Sequence, residues 1–196
     1  MRPRLSAILL AAGASSRMGR PKALLEYEGE TFLDRQIRLY SEAGARVVCV
    51  LGRDAAEIAG ALKRAASAVL VLNAAPEAGQ LSSLQCGLRA MQADTEAFFF
   101  TPADSPGVRP STLAALLEAW DDGADFVQPS CHGRHGHPVL AAARMAAAFL
   151  ALPPQAAARD LVRRSQRRFV EVKDPFVLLD VDTPESYQRL LEGRTE

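Results

Sequence analysis

Short apolar runs alternate along this chain with longer stretches of helical spacing. Leu5–Ala11, Arg46–Leu51, Val69–Leu72, Ala97–Thr101 and Asp125–Gln128 are nearly continuous in apolar residues. Such runs predict strands buried on both faces, as in a mostly parallel sheet. Between them, Thr31–Ala43, Ala55–Ala66, Leu81–Gln92 and Ser111–Ala119 repeat their apolar residues with helical period. Thr31 is positioned to cap the first of these helices and Gly44 to stop it. Strand alternating with helix at this spacing predicts βαβ units and an α/β fold, a three-layer α/β/α sandwich. After Pro129 the pattern loosens into a Gly/His-rich loop, a helix near Ala141–Leu150, a Pro-Pro break and another helix. Short strands are expected at Arg168–Val172 and Val177–Leu179, and a closing helix from Thr183 to Leu191. No repeat or low-complexity linker divides the chain, so residues 1–196 are expected to form one domain.

Composition narrows the function more than the fold. The 196 residues carry 23 Lys+Arg against 23 Asp+Glu, a formal net charge of zero. That balance argues against a nucleic-acid partner, which selects for a basic face or tail. Lys22, Lys63 and Lys173 are the only lysines and the other basic residues are arginines, a bias that lowers the weight of any single arginine. The apolar run Leu5–Ala12 is followed by a charged, turn-like segment rather than a cleavage site, so it does not describe a signal peptide. No stretch approaches the roughly 18–20 apolar residues that span a bilayer, and no membrane partner is expected. Cys49, Cys86 and Cys131 are odd in number and widely spaced, which describes no disulfide framework and favours a reducing, cytoplasmic setting.

Ligands of such sheets bind beyond the carboxyl ends of the strands, which directs attention to the segments after Ala11, Leu72 and Thr101. Leu10-Ala11-Ala12-Gly13-Ala14-Ser15-Ser16-Arg17-Met18-Gly19-Arg20-Pro21-Lys22 follows the first strand directly. Its glycine spacing is neither that of the dinucleotide fingerprint nor that of the P-loop. Its chemistry still suits phosphate: glycines admit close backbone approach, hydroxyls and amides donate, and Arg17 and Lys22 carry positive charge. On loop chemistry alone, a tight βα turn with incidental basic residues explains it equally well.

The pattern L-A-A-G-x-S-x-R-M-G-x-x-K resembles the signature loop of the nucleotidyltransferases related to the molybdenum cofactor guanylyl- and cytidylyltransferases. Leu10, Ala11, Ala12, Gly13, Ser15, Arg17, Met18, Gly19 and Lys22 occupy its fixed positions. The resemblance implies a Rossmann-like nucleotidyltransferase fold and a loop that wraps the triphosphate of an NTP. Arg17 would then meet the outer phosphates and Lys22 the α-phosphate.

Three further segments fit the same resemblance in chain order. Asn73 and Gly79-Gln80-Leu81-Ser82-Ser83-Leu84-Gln85-Cys86-Gly87-Leu88 include a helix start that Ser82 or Ser83 could cap. In the family this segment helps to read base and ribose, which implies nucleotide-binding roles for Asn73, Gly79, Ser82 and Ser83. Phe98–Thr101 ends in Pro102-Ala103-Asp104-Ser105-Pro106. A lone Asp there is an ordinary turn former, and equally a hard-oxygen ligand for Mg²⁺. The family favours Asp there, making Asp104 both catalytic and metal-binding, whereas Ser105 departs from its commoner Met or Gln. Leu179-Asp180-Val181-Asp182-Thr183-Pro184-Glu185 is a helix start by its own chemistry. By the resemblance Asp182 is the second metal ligand, with Asp180 an alternate.

Cys131-His132-Gly133-Arg134-His135-Gly136-His137-Pro138 holds all three histidines but fits no standard zinc frame. Its Gly-His-Pro triplet resembles one in molybdenum cofactor cytidylyltransferases, which implies acceptor binding by His137. The combined expectation is an Mg²⁺-dependent enzyme whose catalytic groups are Arg17, Lys22 and Asp104. It would transfer a nucleotidyl group, CMP from CTP by preference, to molybdopterin and release pyrophosphate. Guanylyl transfer, transfer to another phosphorylated small molecule, and a chaperone that hands the cofactor to a molybdoenzyme are the alternatives.

Overall fold

The computed structural model describes residues 3–13, 19–121, 123–153 and 155–193. In chain order the strands and helices are β1 (Leu5–Ala11), β2 (Glu26–Tyr27), β3 (Glu30–Thr31), α1 (Phe32–Glu42), β4 (Ala45–Leu51), α2 (Ala55–Ala61), β5 (Ala68–Leu72), α3 (Gln80–Ala90), β6 (Ala97–Pro102) and α4 (Pro110–Ala119). They continue with β7 (Phe126–Cys131), β8 (Arg134–His135), β9 (Val139–Ala142), α5 (Met145–Leu150), α6 (Ala158–Arg164), β10 (Arg167–Glu171) and α7 (Pro184–Leu191). Among the described residues no helix is long and apolar enough to cross a membrane.

The main sheet runs β10-β7-β9-β6-β1-β4-β5, with β8 paired to β7. β1 pairs in parallel with both β4 and β6, β4 with β5, and β10 with β7, while β9 runs antiparallel to β6 and β7. The expected α/β sandwich with a mostly parallel sheet is therefore what the chain forms. The near-continuous apolar strands divide by alternation between two cores. Ala7, Leu9, Val47, Cys49 and Phe99 face one core with Leu33, Ile37 and Tyr40 of α1 and Leu113 and Leu116 of α4. Ile8, Leu10, Val48, Val50, Phe98 and Phe100 face the other, with Leu81, Leu84 and Leu88 of α3 and Phe149 of α5. Each fully buried side chain of this kind contributes ~1.5–3 kcal/mol. Gly87 lets α3 lie directly on the sheet, because a Cβ there would stand 2.4 Å from Ile8 Cγ2.

Local signals explain several boundaries. Thr31 caps α1 by accepting from the Asp34 amide, and Gly44 follows the helix at φ 90°. α2 ends at Ala61, shorter than the expected Ala55–Ala66, because the next amides are drawn elsewhere. Those of Lys63 and Arg64 donate to the buried carboxylate of Asp34. Two expectations fail. The helix expected near Ala141–Leu150 begins only at Met145, and Val139–Ala142 is a buried strand. Alanine favours helix locally, but pairing to β6 and β7 on both sides overrides it. Val177–Leu179 is not a strand: Pro175–Leu178 forms a 3-10 turn, capped by Asp174, which accepts from the Phe176 amide.

Candidate functional site

The loops following β1, β4, β5, β6 and β7 gather at one edge of the sheet, as carboxyl-end loops of parallel strands do. Gly52 brings the loop after β4 against the loop after β1, since a Cβ would sit 2.5 Å from the Ala12 carbonyl oxygen. Gly13 and Gly19 flank residues 14–18; Ser15 and Arg17 lie outside the described residues. Gly13 is exposed with open space where a Cβ would point, and Gly19 has φ 69°. A cleft of about 520 Å³ opens there, bordered by Ala12, Gly13, Gly19, Arg20, Arg53 and Glu77. Leu10, Ala11, Gly13, Lys22 and Asp104 share the wall of a smaller hollow beside it, about 60 Å³.

Lys22, on the 3-10 turn Lys22–Leu24, joins residues far apart in sequence. Its Nζ lies 3.1 Å from Asp104 Oδ2 and also contacts Asp182 Oδ1. The two carboxylates thus converge on one point although they come from the end of β6 and the start of α7. Burial alone would lower the Lys22 pKa, but the hydrogen bond to Asp182 and the charge of Asp104 outweigh it and hold the pKa above 10.5. Burial raises the Asp104 pKa; the Lys22 ammonium opposes this and the charges of Asp180 and Asp182 add to it, leaving a net rise.

Two contacts fasten the segment that carries Asp182. The Val181 amide donates to the Asp104 carbonyl at 2.8 Å, and the Ser105 hydroxyl donates to Asp180 Oδ1 at 2.7 Å. Ser105 is buried, so the residue that departs from the family pattern serves as the tether between the two acidic segments. Thr183 and Ser186 form a capping box at the start of α7, which fixes the backbone just after Asp182. The formal charge of three carboxylates and one ammonium is −2, an arrangement with affinity for a cation. Two converging hard oxygen donors suit a divalent ion that takes its other ligands from phosphate and water. Among the described residues no group of three or more His, Cys, Asp and Glu is arranged to hold a metal by itself.

Asn73, Ser82 and Ser83 come together in a closed network. Asn73 Nδ2 donates to both hydroxyls, at 2.9 and 3.0 Å, and its Oδ1 accepts from the Ala75 amide. Ser82 in turn donates to the Gly79 carbonyl, and Gly79 has φ 96°. These side chains hold the 74–79 loop against α3, and Pro76 and Glu77 of that loop line the 520 Å³ cleft.

His137 lies apart from this group, in a second cleft of about 460 Å³ that Asp180 also lines. Its amide donates to the Val177 carbonyl, while its Nδ1 is buried without a partner. Burial pushes the imidazole pKa below 6.5, opposed by the charge of Asp180, so the ring is neutral at pH 7. Gly136 is required next to it, because a Cβ would stand 1.7 Å from the Val177 carbonyl oxygen. His132 and His135 are exposed. Sequence reasoning missed Gln128, whose Oε1 is also buried and unpartnered on this cleft. It lies within a strand and carries no motif.

Residues 7–172 match the family described as the MobA-like NTP transferase domain. The chain belongs to that family. It is a nucleotidyltransferase with a Rossmann-like fold. The molybdenum cofactor cytidylyltransferase of Escherichia coli K12 is 28% identical over 192 residues, covering 98% of each chain. A probable molybdenum cofactor guanylyltransferase of Bacillus cereus Q1 is 33% identical over 138 residues, covering 69% of this chain and 66% of its own. Among solved structures, Rv0371c of Mycobacterium tuberculosis H37Rv superposes with TM-score 0.83 at 27% identity, covering 96% of this chain and 98% of its own. The same protein is known in complex with manganese, matching at TM-score 0.82 and 26% identity over 96% of this chain and 98% of its own.

Proposed function

We propose that this MobA-like NTP transferase moves a nucleotidyl group from an NTP to the phosphate of molybdopterin, with CTP the favoured donor and residues 1–196 acting as one catalytic domain. The observation that carries the reading is Lys22 Nζ meeting both Asp104 and Asp182 beside the loop that follows β1. A phosphate oxygen of the acceptor attacks the α-phosphorus in line. The bond from that phosphorus to the β-phosphate bridging oxygen breaks, and pyrophosphate leaves with the electron pair. The nucleophile is already ionised, so no side chain has to remove a proton. Lys22 remains protonated at neutral pH and acts as a fixed charge beside the α-phosphate. Arg17 serves the outer phosphates, and the backbone around Leu10, Ala11, Ala12, Gly13, Ser15 and Gly19 admits the triphosphate.

Asp104 and Asp182 would hold the divalent cation, Mg²⁺ by expectation, which when bound neutralises phosphate charge. The closed network of Asn73, Ser82 and Ser83 supports a loop whose backbone, with Gly79, reads the base. His137 and Asp180 line the acceptor side. Coverage favours cytidylyl transfer: the Escherichia coli relative aligns over 98% of both chains. The higher identity of the Bacillus relatives, 33% over a shorter span, favours guanylyl transfer as the second reading.

Pyrophosphate release, measured with each NTP and Mg²⁺, with and without molybdopterin, separates these. Release that is selective for CTP and dependent on acceptor is the expected result. GTP selectivity would install the second reading, and NTP binding without turnover on any acceptor would overturn both.

A further inference from the structure

Gln36 is a polar side chain in the middle of an apolar helix face. It is 2% exposed, and Leu33, Ile37 and Tyr40 of the same helix are core residues. Its Nε2 donates twice, to the Pro102 carbonyl at 3.0 Å and to the Ser105 carbonyl at 3.2 Å. These are the first and last residues of the turn that carries Asp104, and the Ser105 amide closes it by donating to the Pro102 carbonyl at 3.3 Å. Both N–H groups of the Gln36 amide therefore go to one turn. The two carbonyls also fix which way round the amide lies, since its own oxygen could not face them. Arg35, one residue earlier, donates from Nε to the Pro106 carbonyl at 2.9 Å.

The other end of the same amide is an independent observation. Gln36 Oε1 is buried without a hydrogen-bond partner among the described residues. A methionine or leucine would fill this helix position without leaving a buried acceptor unpaired, so the amide is held at a cost to stability. Its donors act at the root of the acidic site. The Asp104 carbonyl accepts from the Val181 amide and the Ser105 hydroxyl donates to Asp180, so the segment leading to Asp182 hangs from the same turn. A shift of that turn would carry the Asp104 carboxylate and displace the segment fastened to it. Among the described residues no group of three or more carboxylate, His or Cys ligands forms, which leaves the separation of two carboxylates to decide how well they share a cation.

We propose that Gln36 is a positioning residue for the cation site, clamping the Pro102–Ser105 turn so that Asp104 and Asp182 converge. It touches neither substrate nor cation and acts through the turn. The inference rests on the reading of Asp104 and Asp182 as ligands of a divalent cation.

Three variants test it. Gln36→Met keeps the length of the side chain and removes both donors. Gln36→Glu keeps the shape and loses the pair of N–H groups. Ile37→Val, the next residue of the same helix, loosens the core without touching the turn. Two readouts are compared: Mn²⁺ affinity without nucleotide, from the electron paramagnetic resonance signal of the free ion, and kcat and CTP KM in pyrophosphate release with molybdopterin. Both Gln36 variants should weaken Mn²⁺ by about 10-fold and lower kcat by a similar factor, with the CTP KM within about twofold. Ile37→Val should leave all three within about twofold. Unchanged Mn²⁺ affinity and kcat in Gln36→Met, or in Gln36→Glu should the first variant not fold, overturns the proposal. So does an equal loss in Ile37→Val, which would make the effect one of core packing. Mn²⁺ binding that survives Asp104→Ala sinks the metal reading and this inference with it, whereas binding that needs Asp104 but ignores Gln36 sinks the clamp alone. The Mn²⁺ comparison holds even if molybdopterin is not the acceptor.

Discussion

The two sides of the sheet are built on different terms. On one side β1, β4 and β5 run parallel in simple succession, and the groups facing the 520 Å³ cleft come mostly from loops that directly follow strands. On the other, β6, β9, β7 and β10 mix directions, and the cleft around His137 is assembled from β7, β8, α6, the Gly136-His137 loop and the turn before α7. A strand-loop-helix unit writes its binding chemistry into adjacent residues, so it leaves a motif. A cleft walled by distant segments leaves less of one: the Gly-His-Pro triplet marks His137, whereas Gln128 on the same cleft carries no motif. The Asp104–Lys22–Asp182 cluster belongs to both sides and is where they touch.

The two sides depend on each other most at that junction. Asp104→Ala should reduce kcat on the order of 10³-fold, equivalent to about 4 kcal/mol, while circular dichroism shows the fold intact. Near-normal turnover would remove Asp104 from the chemistry and dissolve the junction.

Glycine substitutions contrast the two sides directly. Gly136→Ala forces a Cβ to within 1.7 Å of the Val177 carbonyl oxygen and should cost about 2–3 kcal/mol in chemical denaturation. Gly13→Ala meets nothing within 4 Å and should leave stability within about 0.5 kcal/mol, harming NTP binding instead. Equal stability losses would show that Gly13 is as tightly walled as Gly136.

Ser105→Ala releases Asp180 from its tether. It should lower stability by about 1 kcal/mol and raise the acceptor KM more than the NTP KM. An equal rise in both would make Ser105 a general packing residue rather than the hinge pin between the two sides.

The smallest effect is in pH. The His137 pKa lies below 6.5 in the folded chain, so the unfolded chain binds the extra proton first. Its contribution to stability is present above pH 6.5 and is lost as pH falls toward the depressed folded value. Denaturation midpoints of wild type should therefore fall between pH 7 and 5 more steeply than those of His137→Gln. Parallel slopes would mean that the ring is solvated rather than buried beside Asp180.

Much of the fold was legible because period and capping are local properties. Leu5–Ala11 matches β1 residue for residue, and Thr31 and Gly44 bracket α1 as their side-chain chemistry requires. What was not legible depended on partners far along the chain. Ala141 and Ala142 look like the start of an alanine-rich helix until β6 and β7 are in place, and Val177 sits in a turn that Asp174 caps. Asp104 and Asp182 could be nominated by resemblance, but no spacing reveals that Lys22 stands between them. The arginine bias hid a further signal. Arg134, Arg159, Arg163 and Arg167 mean little one at a time, and only the fold shows that they line one cleft.

The bond from the Val181 amide to the Asp104 carbonyl joins residues far apart in the chain, so it can form only once residue 181 has been made. Strands β1, β4, β5 and β6, with the loop after β1, can assemble while the ribosome has yet to add residue 182. Such a nascent chain already owns the glycine-rich loop, Lys22 and the first carboxylate, yet it lacks the second. On the reading proposed above, a nascent chain that stops short of Asp182 cannot yet present both carboxylates to a divalent cation.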